Sequence, residues 1–196
     1  ITLTARPASG YRFASWTGCT SLTAICTISS FEGPATITAT FVADDFTLLV
    51  VPPTEGGKIT GFSGGINCAV GSAADSADCP ETVTYGQPYT LTAEPASGYR
   101  FGAWGDDCSA SMTTTCNFTA DITPKASVTF VKIWTLTVGT HTNGAIQGGA
   151  IDCGATVCSY DYDASANATV SLKANANTGY RFLAWTDTYC SANGTG

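Results

Sequence analysis

The nine cysteines are the residues whose spacing says most about the chemistry of this 196-residue chain. Eight of them form four local pairs, each bracketing a short loop. The pairs are Cys19 with Cys26, Cys68 with Cys79, Cys108 with Cys116, and Cys153 with Cys158. Zinc sites use closer cysteine pairs or added histidines, and the chain has a single histidine, His141. The spacing therefore predicts four local disulfides, no metal site, and an oxidising compartment.

The ninth cysteine, Cys190, follows the third copy of a motif that precedes two of the bracketed loops. The corresponding pairs, Cys19 with Cys26 and Cys108 with Cys116, span 7 and 8 positions. A partner for Cys190 would therefore fall at position 197 or 198. We expect the chain to continue and Cys190 to be unpaired only through truncation.

Acidic residues are the other candidates for chemistry. They occur at Asp44-Asp45, at Asp106-Asp107, and at Asp161 with Asp163. Calcium prefers such oxygen-rich loops, but the twelve-residue loop with a terminal glutamate is missing. The default interpretation is that these aspartates are solvated turn residues, and the alternative is that they bind calcium. His141 has no counterpart elsewhere in the chain, so we expect no catalytic residue and no cofactor, although carboxylate pairs close in space stay open.

Composition excludes several classes of protein. The formal net charge is −7 and only 12% of residues are charged, which argues against nucleic-acid binding. A hydrophobic fraction of 44% and an aromatic fraction of 11% are too high for a disordered chain. No apolar run approaches the roughly 20 residues of a membrane helix, so we expect no membrane-spanning segment.

One motif, Tyr-Arg-Phe-x-x-Trp, occurs three times, at spacings of 88 and 81 residues. The copies are Tyr11, Arg12, Phe13 and Trp16; Tyr99, Arg100, Phe101 and Trp104; and Tyr180, Arg181, Phe182 and Trp185. The aromatic side chains fit core positions, with the arginine lying over them or pairing with a carboxylate. The alternative is a platform on which sugars stack.

Alternation of apolar and polar residues predicts strands throughout. The predicted strands cover residues 1–5, 36–41, 46–51, 89–93, 127–131, 134–138 and 168–173. The repeats divide the chain into three parts: residues 1–43, the rear half of one repeat; 44–131, a complete repeat; and 132–196, the truncated front of a third. Short linkers are expected at residues 42–45 and 131–133. The fold class is all-β, with tandem disulfide-stapled modules of about 80–88 residues.

The ordered motifs resemble the divergent internalin-type B-repeat, or Listeria–Bacteroides repeat. They comprise a Thr-Leu-Thr-Ala strand, Pro-Ala-Ser-Gly, the aromatic motif, the cysteine pair and a closing strand such as Ile37–Phe41. The resemblance covers essentially the whole chain. It implies compact, mostly β modules of β-grasp-like character in secreted or surface-attached bacterial proteins, with no catalytic residues to transfer.

We therefore expect a non-catalytic, extracellular structural repeat protein: a stalk, filament or matrix segment. Its partners would be copies of itself or neighbouring repeats, joined at unpaired strand edges into a fibre. The alternative is an adhesin or carbohydrate-binding module that uses aromatic residues to hold surface glycans. A concave, exposed aromatic strip would favour that alternative, and buried aromatics would favour the structural role.

Overall fold

The computed structural model describes residues 1–30, 33–62, 65–74, 77–154, 156–164, 169–186 and 190. Within these ranges the chain folds into sixteen strands. The predicted all-β class, with small disulfide-closed modules, is confirmed.

The strands are β1 (Thr2–Thr4), β2 (Tyr11–Thr17), β3 (Ile25–Thr27), β4 (Thr38–Ala43), β5 (Asp45–Val50), β6 (Gly57–Gly61), β7 (Ile66–Ala69), β8 (Pro80–Thr84), β9 (Pro88–Pro95), β10 (Tyr99–Asp106), β11 (Thr115–Thr119), β12 (Lys125–Val138), β13 (Gly144–Gly148), β14 (Ile151–Cys153), β15 (Cys158–Asp163) and β16 (Lys173–Ala176).

The chain forms two compact units. The first comprises Ile1–Ser97 with Phe101–Phe130, and the second comprises Gly98–Arg100 with Val131–Gly196. Strand β12 therefore contributes its first six residues to the first unit and the remainder to the second. The three-part division predicted from the repeats stays a prediction.

The first unit contains two separate strand pairs, formed by the first four strands of the chain, and two larger sheets. β1 pairs with β3, and β2 pairs with β4 through a bulge between Phe13 and Ser15. One larger sheet has the order β10-β12-β5-β8, in which β12 and β5 run parallel, and the other has the order β11-β9-β6-β7. In the second unit, β13 lies between β14 and β16, and β15 pairs with residues 133–138 of β12.

The core of the first unit follows the period-two pattern of its strands. Side chains that are fully buried come from both larger sheets: Leu48, Val50, Ile59, Ile66, Val83 and Leu91. The ring of Phe130 occupies the space where a side chain on Gly57 would lie, so the inner faces of the two sheets meet there. The core of the second unit is smaller, built on Val138, Ile151 and Cys153.

Three local expectations differ from the structure. The linker expected at residues 131–133 lies inside the continuous strand β12, and the connection at residues 42–45 narrows to Asp44 alone, between β4 and β5. The strand expected at residues 168–173 is observed at Lys173–Ala176 instead, although residue 168 lies outside the described residues. These differences arise because cross-strand hydrogen bonds, not side-chain alternation alone, decide where a strand continues.

Candidate functional site

The repeated aromatic motif ties a tryptophan to the neighbouring disulfide-closed loop. The Trp16 indole N–H donates to the Thr23 carbonyl at 2.9 Å, inside the loop closed by Cys19 and Cys26. The Trp104 indole N–H likewise donates to the Thr113 carbonyl at 2.9 Å, inside the next such loop. Each loop is therefore held by a covalent bond and by the indole, a link that sequence reasoning did not foresee.

The motif aromatics pack on one another within each copy. The Phe and Trp ring centroids are 5.5 Å apart in the first copy, 6.2 Å in the second and 5.3 Å in the third. Trp104 is buried, whereas Trp16 and Trp185 are partly buried, as are Phe13, Phe101 and Phe182. Tyr11 and Tyr180 are exposed, and Tyr99 is partly buried.

The motif arginine forms an ion pair with an aspartate in the first two copies. Arg12 Nη1 lies 2.8 Å from Asp44 Oδ1. Arg100 binds Asp163 through two hydrogen bonds, from Nε at 2.7 Å and from Nη2 at 2.6 Å. These hydrogen bonds lower the pKa of Asp163 and raise the pKa of Arg100. Arg181, in the third copy, is exposed.

The first junction lies at Asp44, between β4 and β5, where the sequence predicts that the first repeat ends. The Asp44 N–H donates to the Gly10 carbonyl at 2.9 Å, and the Tyr85 N–H donates to the Asp44 carbonyl at 2.9 Å. The Tyr85 ring meets the Tyr11 ring edge-on at 5.4 Å and the Phe46 ring at 6.4 Å. Backbone bonds and an aromatic cluster therefore hold the two repeats together at Asp44.

The second junction, in the second unit, has similar backbone bonds, one of them shifted by a residue, and different side chains. The Ile133 N–H donates to the Gly98 carbonyl and the Ala164 N–H to the Lys132 carbonyl, both at 2.8 Å. Ala164 therefore stands where Tyr85 stands in the first junction. The Lys132 ammonium lies 4.9 Å from the centre of the Trp134 ring, which stays largely exposed.

The four disulfides join the cysteine pairs expected from the spacing. Their Cα–Cα distances are 6.3, 4.7, 5.5 and 5.8 Å in chain order. The eight disulfide-bonded cysteines are buried, except Cys19 and Cys158, which are partly exposed. Cys190 has no disulfide partner.

The aspartates considered as possible calcium ligands accept hydrogen bonds on the exposed faces of the strands. Asp45 accepts from the Thr84 hydroxyl, Asp106 from Ser127 and Asp161 from Thr135, each at 2.6 Å. The Asp107 carboxylate accepts from the Lys125 N–H at 2.8 Å. The hydroxyl of Ser127 lowers the pKa of Asp106, and that of Thr60 lowers the pKa of Glu94. Asp106 and Glu94 also form ion pairs, with Lys125 at 3.2 Å and with Lys58 at 3.3 Å, so hydroxyl and ammonium donors share these carboxylates.

A metal centre is not assembled by the described residues: none of their histidine, cysteine, aspartate and glutamate side chains come together in groups of three or more that could hold an ion. His141 Nδ1 lies 3.1 Å from the Gly139 carbonyl oxygen, and its Nε2 is buried with no hydrogen-bond partner. The same described part of the chain contains no helix long and apolar enough to cross a membrane.

The fold and these junctions define a tandem β-repeat protein whose modules are closed by local disulfides. The family model of the divergent InlB B-repeat domain matches residues 1–45, 66–133 and 134–195. The chain belongs to this family, as the repeated motifs indicate. No curated protein and no solved structure matches it.

Proposed function

We propose that the chain is a non-catalytic spacer of an extracellular or surface-attached protein, in which successive modules set a distance. Membership of the B-repeat family supports a surface repeat domain. The four disulfides support an oxidising, extracellular compartment, because reducing compartments keep thiols free.

The observation that carries this proposal is the first junction. A flexible linker between two modules would contain several residues free of hydrogen bonds. Here a single residue, Asp44, separates β4 from β5, and its N–H and carbonyl are both bonded, to Gly10 and Tyr85. Its carboxylate is held by Arg12. Bending at this point breaks all three contacts together, so the junction resists bending.

Fluorescence energy transfer across the first junction tests the proposal. Dyes attached through non-natural amino acids at Leu22 and Met112, both exposed side chains, would report the distance between the two repeats. We expect a narrow distance distribution in the parent chain. Insertion of four Gly and Ser residues after Asp44 should broaden it, while the same insertion in the loop after Ala73 should leave it unchanged. A distribution as broad in the parent as in the first insertion variant would contradict the spacer role.

Association of copies into a fibre is a separate prediction. Electron microscopy of the native material tests it: ordered fibres with an axial period of a few module lengths support assembly, and isolated monomers contradict it.

A further inference from the structure

The repeat predicted at residues 44–131 begins with β5 and ends with the first half of β12, and these two strands are neighbours in one sheet. They run parallel. The Leu49 N–H donates to the Pro124 carbonyl at 2.9 Å. The Val51 N–H, one residue past the end of β5, donates to the Ala126 carbonyl at 2.8 Å. The first and last strands of the repeat are therefore joined directly by backbone hydrogen bonds.

The parallel direction decides how tension along the chain reaches these bonds. The chain enters β5 at Asp45 and leaves the first unit through β12 at Phe130. In a parallel pair these two points lie at opposite ends of the contact, so pulling them apart slides one strand along the other. Sliding loads the bonds to Pro124 and Ala126 at the same time, and the strands separate only when both have broken.

The antiparallel pair of β5 and β8, in the same sheet, responds differently to force. Thr47 lies directly opposite Thr82 in this pair. Pulling on these two residues separates the strands at one point, and the remaining cross-strand bonds then break one after another. The same sheet therefore contains one strand pair that tension along the chain loads in shear and another that can be peeled open.

The core side of the parallel contact adds to its resistance. The side chains that β5 and β12 direct into the core at this contact are buried: Leu48, Val50, Ala126 and Val128. Because the side chains of a strand alternate between its faces, a shift in pairing by one residue would place this apolar set on the wrong face. Sliding therefore disrupts the packing of the core together with the hydrogen bonds.

We propose that β5 and the first six residues of β12 form a mechanical clamp, which allows the chain to carry tension along its length without extending. This role goes beyond the spacer role, since the latter concerns bending at Asp44 and the clamp concerns pulling. Forced extension is governed by the barrier to unfolding and not by the equilibrium stability. The clamp therefore acts without requiring a large free energy of unfolding.

Force spectroscopy on single full-length chains, pulled in two geometries, tests the clamp. Handles attached through non-natural amino acids at Thr47 and Thr129 load the parallel pair in shear, and handles at Thr47 and Thr82 peel β5 from β8. All three side chains are exposed. We expect the unfolding force to be about twofold higher, or more, in the first geometry, because the bonds break together instead of in turn. Equal forces in the two geometries overturn the proposal.

The length of chain released identifies the unfolding event in the first geometry. Two disulfides lie between the handles and close loops that span 11 and 8 positions. At about 3.5 Å per extended residue, reduction of both should lengthen the unfolded chain by about 55 Å. Only force peaks that show this lengthening are scored.

A matched pair of proline variants tests the bonds of the clamp. Val51→Pro removes a donor of the clamp, whereas Ala96→Pro removes an N–H that donates to the Gly56 carbonyl, also at 2.8 Å, outside the contact. We expect the force in the shear geometry to fall in Val51→Pro and to stay unchanged in Ala96→Pro, with the free energy of unfolding of each measured in urea. An unchanged force in Val51→Pro, or an equal fall in both variants, contradicts the clamp. The energy-transfer measurement across Asp44 applies no load, so the spacer role is tested separately.

Discussion

The two junctions share a backbone arrangement and differ in the side chains that complete it. In the first, Asp44 pairs with Arg12 and Tyr85 covers Phe46. In the second, the aspartate has moved to β15, where Asp163 takes both hydrogen bonds of Arg100, and Ala164 replaces the covering tyrosine. The arginine thus finds its carboxylate either at the connection between β4 and β5 or on β15, whereas the covering tyrosine is present in the first junction and not in the second.

This difference distinguishes the contacts common to both junctions from those that vary between copies of the repeat. A backbone bond to the glycine before the motif, a backbone bond from the neighbouring strand and an arginine–aspartate pair recur in both junctions, so they belong to the common architecture. The Tyr85 ring, which packs against Tyr11 and Phe46, is a feature of the first junction alone, since Ala164 holds the corresponding place in the second.

The largest expected effect comes from a methyl group at the glycine that precedes each motif. Gly10 and Gly98 have nearly the same left-handed φ, +81° and +80°. A methyl group on Gly10 would overlap the Tyr85 ring, whereas one on Gly98 would meet no described atom within 4 Å. We expect Gly10→Ala to lower the free energy of unfolding by about 3 kcal/mol and Gly98→Ala by about 1 kcal/mol, in urea denaturation. Equal losses would mean that Tyr85 does not pack as described.

Substitutions at Tyr85 and Ala164, the corresponding positions of the two junctions, should have smaller effects, because one removes a packed ring and the other adds one. We expect Tyr85→Ala to lower the free energy of unfolding by about 2 kcal/mol, because it removes two edge-on ring contacts. Ala164→Tyr should cover Trp134, shift its fluorescence to shorter wavelength and reduce its quenching by acrylamide. Trp134→Phe in the same background identifies the Trp134 signal among the four tryptophans. An unchanged spectrum in Ala164→Tyr would show that the two positions are not equivalent.

The smallest expected effect is a dependence on pH at the second junction. The hydrogen bonds from Arg100 lower the pKa of Asp163 in the folded state, so the pair stabilises the fold above the ordinary carboxyl pKa of about 4. This stabilisation is lost as the pH falls through the lowered pKa. We expect Asp163→Asn to flatten the acid limb of a plot of stability against pH, and Arg100→Gln to raise the pKa of Asp163 in a carbon-13 NMR titration. A carboxyl resonance that titrates identically in the parent chain and in Arg100→Gln would contradict this.

Much of the fold could be predicted from the sequence, because alternation and repetition each constrain it strongly. Strands β4, β5, β9 and β12 fall at or near the predicted ranges, and the four cysteine pairs are those that the short loops suggested. The residue at which a strand ends is harder to predict from the sequence. Residues 131–133 fall between two predicted strands and were expected to be a linker, yet they lie in β12, where Gly98 and Ala164 supply backbone partners from distant parts of the chain.

The contacts of the site were harder to predict than its residues. The sequence directed attention to the motif aromatics but not to the hydrogen bonds from the Trp16 and Trp104 indoles to the Thr23 and Thr113 carbonyls. A bond to a backbone carbonyl does not depend on the type of the accepting residue, so no sequence pattern reveals it.

The hydroxyl–carboxylate pairs on the outer faces have a consequence for the surroundings in which the protein can work. Asp45 with Thr84, Asp106 with Ser127 and Asp161 with Thr135 join one charge to one neutral dipole at short range. Dissolved ions weaken the attraction between two separated exposed charges but have little effect on a short contact of this kind. These hydroxyl contacts should therefore change little with added salt, whereas the exposed ion pairs of Arg12 with Asp44 and of Lys58 with Glu94 should weaken.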